Sequence, residues 1–241
     1  MSKQQHLNVS PIHFYATPPH ECSYIPSKLA TTVFVDPNLP LKQNIYQLLT
    51  RHGFRRSGEH IYKPQCENCQ QCIPVRLPVK DFKATRNQKR VLRKNKNLHV
   101  SLKPGSYTRE YYALYDRYIR ERHSDGDMYP PNQEQFEKFL LCDWSQTQFI
   151  EFRNPEKELI SVAVIDPMED GFSAVYTFFE PSLHHLSLGK LAILTQIELL
   201  KEKHLPYLYL GYYIKSCKKM NYKTEYRPIE CLINEQWCTL T

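Results

Sequence analysis

Cysteines recur at every third position in "YKPQCENCQQCIPVRLP", at Cys66, Cys69 and Cys72. Three thiolates at such spacing suit a tetrahedral zinc site or an iron–sulfur cluster, and they equally suit small reduced side chains packed in a tight turn. A second chemical signal is cationic. In "KATRNQKRVLRKNK", from Lys83 to Lys96, no acidic residue interrupts the basic ones. On a helix Arg86, Lys89, Arg90, Arg93 and Lys94 fall along one face, a stripe suited to displacing counterions from a phosphate backbone. Further on, "KSCKKMNYKTEYR" mixes Lys215, Lys218, Lys219, Lys223 and Arg227 with Tyr222 and Tyr226. That mixture suits phosphates together with unstacked bases. Either segment alone also reads as a solvated surface face; two in one chain favour an anionic partner.

These residues need a scaffold. The chain has 241 residues, a net charge of +7, 41% hydrophobic and 24% charged residues, and eight cysteines. This is the composition of an ordinary globular protein, with one large domain or two small ones expected. No run of apolar residues is long enough for a membrane helix, and "MSKQQHLNVSPIHF" has no apolar secretory stretch, so no membrane partner and a cytoplasmic location are expected. In that reducing setting the cysteines are expected as thiols or metal ligands, not disulfides.

"LKQNIYQLLTRHG" reads as a helix ending at Gly53, and "IPVRLPV" as an edge strand limited by its prolines. The basic helix follows as a connector. Two helical patterns come next, "YTREYYALYDRYIRERH" and "NQEQFEKFLLCDW", the second capped by Asn132 with Gln135 at the capping-box position. "QFIEFRN", "ELISVAVIDPM" and "FSAVYTFFEP" form an expected antiparallel meander. Then come a largely buried helix in "SLGKLAILTQIELLKEKH", a strand in "PYLYLGYY" and a last strand or hairpin in "RPIECLINEQWCTL". The expected class is α+β, an N-acetyltransferase-like acyltransferase fold. Its sheet is mixed and mainly antiparallel, flanked by helices, with a smaller cysteine-containing N-terminal domain. The expected division is 1–82 for that domain, 83–97 for the basic connecting helix and 98–241 for the catalytic unit. Acetyl-coenzyme A enzymes of this fold cradle a pyrophosphate with a glycine-rich turn. Here "HHLSLGKLA" holds only Gly189, which argues against coenzyme A and for an acyl donor carried by a nucleic acid.

The segments "FYATPPHECSYIP", "VFVDP", "GFRRSGEHIYKPQCENCQQCIPVRLP", "YIRERHSDGDMYPP", "AVYTFFEP", "SLGKLAIL" and "LYLGYYIKSCKKMNYKTEYRP" resemble the bacterial aspartate/glutamate leucyltransferases, relatives of the eukaryotic arginyltransferases. The resemblance runs from about Phe14 to Pro228. It implies transfer of leucine from leucyl-tRNA to proteins with N-terminal Asp or Glu, marking them for N-degron degradation. Arginyl transfer is the sibling alternative, and a non-enzymatic RNA-binding protein with a zinc-ribbon-like cluster is the alternative of another class. The resemblance also adds Cys22 to Cys66, Cys69 and Cys72, making four thiolates for zinc or an iron–sulfur cluster. The transfer step itself requires no cofactor, because an aminoacyl ester is already activated and an α-amine with a pKa near ~8 is partly neutral. The expected base is among Asp125, Asp127 and Glu180, the alternative for each being a turn or capping carboxylate. Tyr176, Tyr209 and Tyr212 are expected to position the amine or protonate the leaving group, and backbone N–H groups after "YTFFEP" or at the Ser187–Gly189 turn to hold the oxyanion. Arg76, Lys215, Lys219 and Lys223 are candidates for binding the acidic side chain. Phe178, with Met128 and Tyr129, is expected to line a slot for the leucyl side chain.

Overall fold

The structure, a computed structural model, describes residues 11–126 and 128–240; the candidate base Asp127 lies outside the described residues. Strands β1 (Phe14–Ala16), β2 (His20–Glu21), β3 (Leu29–Ala30) and β4 (Thr32–Val35) lead into helix α1 (Gln43–Arg51) and the hairpin of β5 (Arg55–Ser57) and β6 (His60–Pro64). Strand β7 (Ile73–Pro78), helix α2 (Arg86–Lys94) and strand β8 (His99–Pro104) precede α3 (Arg109–Arg122) and α4 (Gln133–Leu140). Then come β9 (Gln148–Arg153), β10 (Leu159–Met168), β11 (Gly171–Phe179), α5 (Leu188–Glu202), β12 (Tyr207–Tyr213), α6 (Lys218–Asn221), β13 (Glu230–Ile233) and β14 (Gln236–Thr239).

The large sheet runs β14-β13-β7-β12-β11-β10-β9-β8, antiparallel except where β11 meets β12. Strand β10 is apolar to both sides because both sides are covered: Val162 and Val164 pack with α3 and α4, Ala163 and Ile165 with α5. Helix α5 has no single apolar stripe because α2 covers it from outside. The architecture is the expected α+β arrangement of an acyltransferase-like fold, a meander, a buried helix and a parallel strand returning beside it. A four-stranded sheet, β1-β4-β6-β5, forms the N-terminal unit, where Tyr46 and Leu49 of α1 pack on Val35 and Ile61.

Strand β7 is not the expected edge strand. It lies between β12 and β13, so the segment 1–82 contributes a strand to the larger sheet and residue 82 does not separate two sheets. The prolines permit this because β13 pairs only with Val75 and Arg76, leaving Pro74 and Pro78 outside that short ladder. Strand β8 has no counterpart in the sequence reading: as an edge strand with a mostly exposed pattern, it lacks a clear apolar alternation. The N-terminal unit is tied down by Arg56 of β5. Its Nε and Nη2 donate to Asp166 of β10 at 2.5 and 2.8 Å, with both side chains fully buried. Thr147 Oγ1 donates to the same carboxylate at 2.8 Å. Burial works against the Arg56 charge, but Asp166 more than offsets it and raises the pKa further.

Candidate active site

The parallel pair β11–β12 holds register only from Gly171–Ser173 against Tyr207–Tyr209. A Cβ at Gly171 would stand 1.8 Å from the Tyr207 carbonyl oxygen, so only glycine permits this approach. Beyond it the strands part. A bulge on β11 beside Val164/Ile165 and another on β12 between Tyr209 and Gly211 turn them away from each other. Gly211, at φ +78°, supplies the left-handed residue the second bulge needs. The exposed walls of the gap are the half-buried residues Ala174, Val175, Tyr176, Thr177 and Gly211.

Around this gap the structure collects groups that are far apart in sequence. Tyr176 stacks edge-on to Tyr118 of α3 at 6.3 Å, and its buried hydroxyl has no hydrogen-bond partner among the described residues. Burial raises the pKa of Tyr176, so it is a proton donor at neutral pH. The Tyr118 hydroxyl lies 3.4 Å from His123 Nε2 at the end of the same helix. Burial lowers the His123 pKa below 6.5, with Lys219 adding to the effect, so the imidazole is neutral at pH 7. Sequence reasoning passed over His123; its position beside "SDGD" was the available signal. Lys219 of α6 meets Asp125 at 3.6 Å, both largely exposed, so the "SDGD" and "KSCKKMNYK" segments face each other. Arg55 of β5 enters from the N-terminal unit and donates to Ser173 Oγ at 2.9 Å and to the Ala174 carbonyl.

Several expected site residues are committed elsewhere. Glu180 accepts from Arg117 at 2.9 Å and from Ser182, and these contacts hold its pKa down against the effect of burial. It is a cap and a tie, poorly matched to a base. Arg76 donates to Glu230 at 2.6 Å and is sandwiched by Tyr207 and Trp237 at 3.7 and 4.4 Å, leaving no free face for substrate. Phe178 is fully buried against Tyr115 and Phe136 and lines no slot. The Tyr212 hydroxyl lies 2.9 Å from the Gly53 carbonyl oxygen, locking β12 to the N-terminal unit. Lys223, in contrast, is 4% exposed and donates to the Tyr212 carbonyl but has no carboxylate partner among the described residues. Lys215 is exposed beyond β12. Ser187 is the left-handed N-cap of α5, with no side-chain cap bond, and a Cβ at Gly189 would meet Phe179 at an ordinary 3.6 Å. The N–H groups of Leu188 and Gly189 are therefore first-turn donors without intrahelical acceptors, and Gly189 is no tight-turn glycine.

Helix α2 presents Arg86, Lys89, Arg90, Arg93 and Lys94 to solvent, while Gln88, Val91 and Asn95 face inward. A capping box of Thr85 and Gln88 starts it. Arg86, Lys89, Leu92 and Arg93 line one surface hollow. The C-terminal end of the helix is pinned to the turn before α5 by Lys94 on the His185 carbonyl (2.9 Å) and Asn95 on that of Leu186 (3.0 Å).

Cys22, Cys66, Cys69 and Cys72 come together, half-buried, with Cys217 joining from the segment after β12. Burial, then the surrounding thiols, pushes Cys72 up to about 12. Cys66 and Cys69 face each other across an isolated bridge. Among the described residues, however, no three Cys, His, Asp or Glu side chains converge as a metal site requires.

A parted parallel pair, a helix N-terminus near it and an exposed basic helix are the features of an acyltransferase-like fold. Residues 20–90 match the N-terminal part, and residues 110–233 the C-terminal part, of the arginine-tRNA-protein transferase family. The aspartate/glutamate leucyltransferase of Saccharophagus degradans is 51% identical over 96% of this chain and 98% of its own. That of Pseudomonas fluorescens is 52% identical over 95% and 97%. The solved structure of L-PGS from Bacillus licheniformis superimposes with TM-score 0.46 and 12% identity over 61% of this chain and 48% of its own. The chain belongs to the aspartate/glutamate leucyltransferase family and is a transferase.

Proposed function

We propose that the chain transfers leucine from leucyl-tRNA to the α-amino group of proteins beginning with Asp or Glu, in the cytoplasm, marking them for N-degron degradation. The observation that carries this reading is the gap between β11 and β12, with Tyr176, Tyr118 and His123 beside it and the basic helix α2 pinned to the turn before α5. The exposed stripe of Arg86, Lys89, Arg90, Arg93 and Lys94 binds the tRNA backbone. The acceptor stem then leads past the turn before α5, which brings its 3′ end to the gap.

The amine attacks the ester carbonyl, forming the C–N bond, and His123 takes the proton it sheds. The N–H groups of Leu188 and Gly189 stabilise the oxyanion. As the ester C–O bond breaks, Tyr176 donates a hydrogen bond toward the departing 3′ oxygen of the tRNA. That oxygen receives the proton, and the products are deacylated tRNA and an amide. Asp125, with Lys219, borders the mouth where the peptide enters. No step is routed through the cysteines, because an aminoacyl ester is already activated.

The test offers radiolabelled leucyl-tRNA and arginyl-tRNA in parallel to peptides beginning with Asp, Glu, Lys or Ala. Leucine transfer to the Asp and Glu peptides alone is expected. Faster arginine transfer would reassign the donor, and binding of tRNA with no turnover would leave an RNA-binding protein.

A further inference from the structure

Two neighbours on β5 point to opposite sides, as strand geometry requires, and meet opposite fates. Arg56 is buried against Asp166. Arg55 is 8% exposed, yet among the described residues no carboxylate reaches it: its partners are Ser173 Oγ and the Ala174 carbonyl, both neutral. Among the described residues Lys223, 4% exposed, is likewise held by neutral partners, the Tyr212 carbonyl, the Met220 sulfur at 3.3 Å and the Tyr222 ring at 5.4 Å. The two cations are close enough to oppose each other's charge, and Lys223 falls to about 7 through burial first and Arg55 second.

Two buried positive groups with no acid beside them among the described residues are an expensive arrangement unless something negative joins them. Both stand at the parted strands, where Arg55 touches Ser173 and Ala174 and a Cβ on Gly211 would press on its Nε at 3.4 Å. Tyr222, partly exposed, and Tyr118 connect this spot to His123. The leucyl group of the donor is an ester and brings no carboxylate here. The acceptor does.

We infer that Arg55 and Lys223 together form the receptor for the side-chain carboxylate of the acceptor's N-terminal Asp or Glu. This rests on the leucyl-transfer reading above. It supplies the specificity element that Arg76, occupied by Glu230, does not. Rejection of Asn and Gln follows from the same arrangement, because a neutral amide leaves both cations buried without a counter-charge. Lys219, although nearer the mouth, is solvated and already paired with Asp125, so it discriminates weakly.

The experiment measures kcat/KM for leucine transfer to matched peptides beginning with Glu and Gln, in the parent, Lys223→Met and Arg55→Met, with the KM for leucyl-tRNA measured alongside. The parent is expected to favour Glu strongly. Each variant should lose at least about tenfold on the Glu peptide, the range of one charge-assisted hydrogen bond, with little change on Gln and none in the tRNA KM. A second readout needs no variant and no turnover: the Glu peptide should raise the parent's Tm and the Gln peptide should not. Retained Glu-over-Gln preference in a folded variant, or a loss carried by the tRNA KM, overturns the receptor. An equal Tm shift by both peptides does so even where a variant fails to fold. A parent that transfers no leucine to any peptide sinks the functional reading instead.

Discussion

Lys223 is a burial that folding alone does not favour, and this has a measurable sign. Its folded pKa of about 7 lies below the ordinary 10.5, so between these values the unfolded chain binds more protons than the folded one. Stability attributable to Lys223 therefore rises as pH rises through that window and is lowest at and below pH 7. Lys223→Met is expected to melt higher than the parent at pH 7, with the difference shrinking by pH 9 in parallel thermal scans. A constant difference would show that the lysine is not the titrating group. His123 gives the complementary prediction. Its pKa is depressed by burial, Lys219 and Arg122, with Asp125 opposing, so the base is lost only when pH falls below 6.5. The rate profile should show an acid limb there, and His123→Asn should remove the limb and lower kcat about tenfold or more with little change in peptide KM. The histidine was legible as a residue type beside "SDGD". Its depressed pKa was not, because that depends on burial and on a lysine 96 positions later.

Among the elements, the parting of β11 and β12 depends on local backbone. Gly211→Ala would force a Cβ into a left-handed conformation and against Arg55, costing roughly 1 kcal/mol or more and weakening transfer to acidic peptides beyond the stability loss. Comparing Tm with kcat/KM on the Glu peptide checks both effects. Helix α2 makes a different prediction. Replacing Arg86, Arg90 and Arg93 by Ala leaves its inward face and capping box intact, so the fold should persist. The salt dependence of tRNA binding should flatten, by about 0.7–0.9 in log–log slope for each phosphate no longer neutralised. An unchanged slope would remove α2 from the tRNA interface. This helix, the meander and α5 were readable in sequence because each carries a periodic pattern or a charge run. The edge strand β8, with neither, was not.

Across the molecule, the N-terminal unit and the larger sheet are joined by β7 and by the buried Arg56–Asp166 pair. Asp166→Ala should cost about 3–5 kcal/mol in denaturant unfolding, since it strands a buried guanidinium, and should abolish transfer by releasing the hairpin that carries Arg55. The class of protein was already written in the amino-acid order. The succession of helices and strands, the basic helix, the lone glycine in the first turn of α5 and the family resemblance are all carried by local spacing. Which charges are spent and which are available emerged only from the folded arrangement. Arg55 and Arg56 are indistinguishable as text, as are Arg76 and Lys223 among the cations proposed for the acidic side chain. A cation's availability depends on whether a carboxylate stands beside it, and the residues that settle this lie from 110 to 154 positions away, at Asp166 and Glu230. Burial then sets the energetic weight, because a charge that water would screen on the surface must find its counter-charge in the interior or in a substrate.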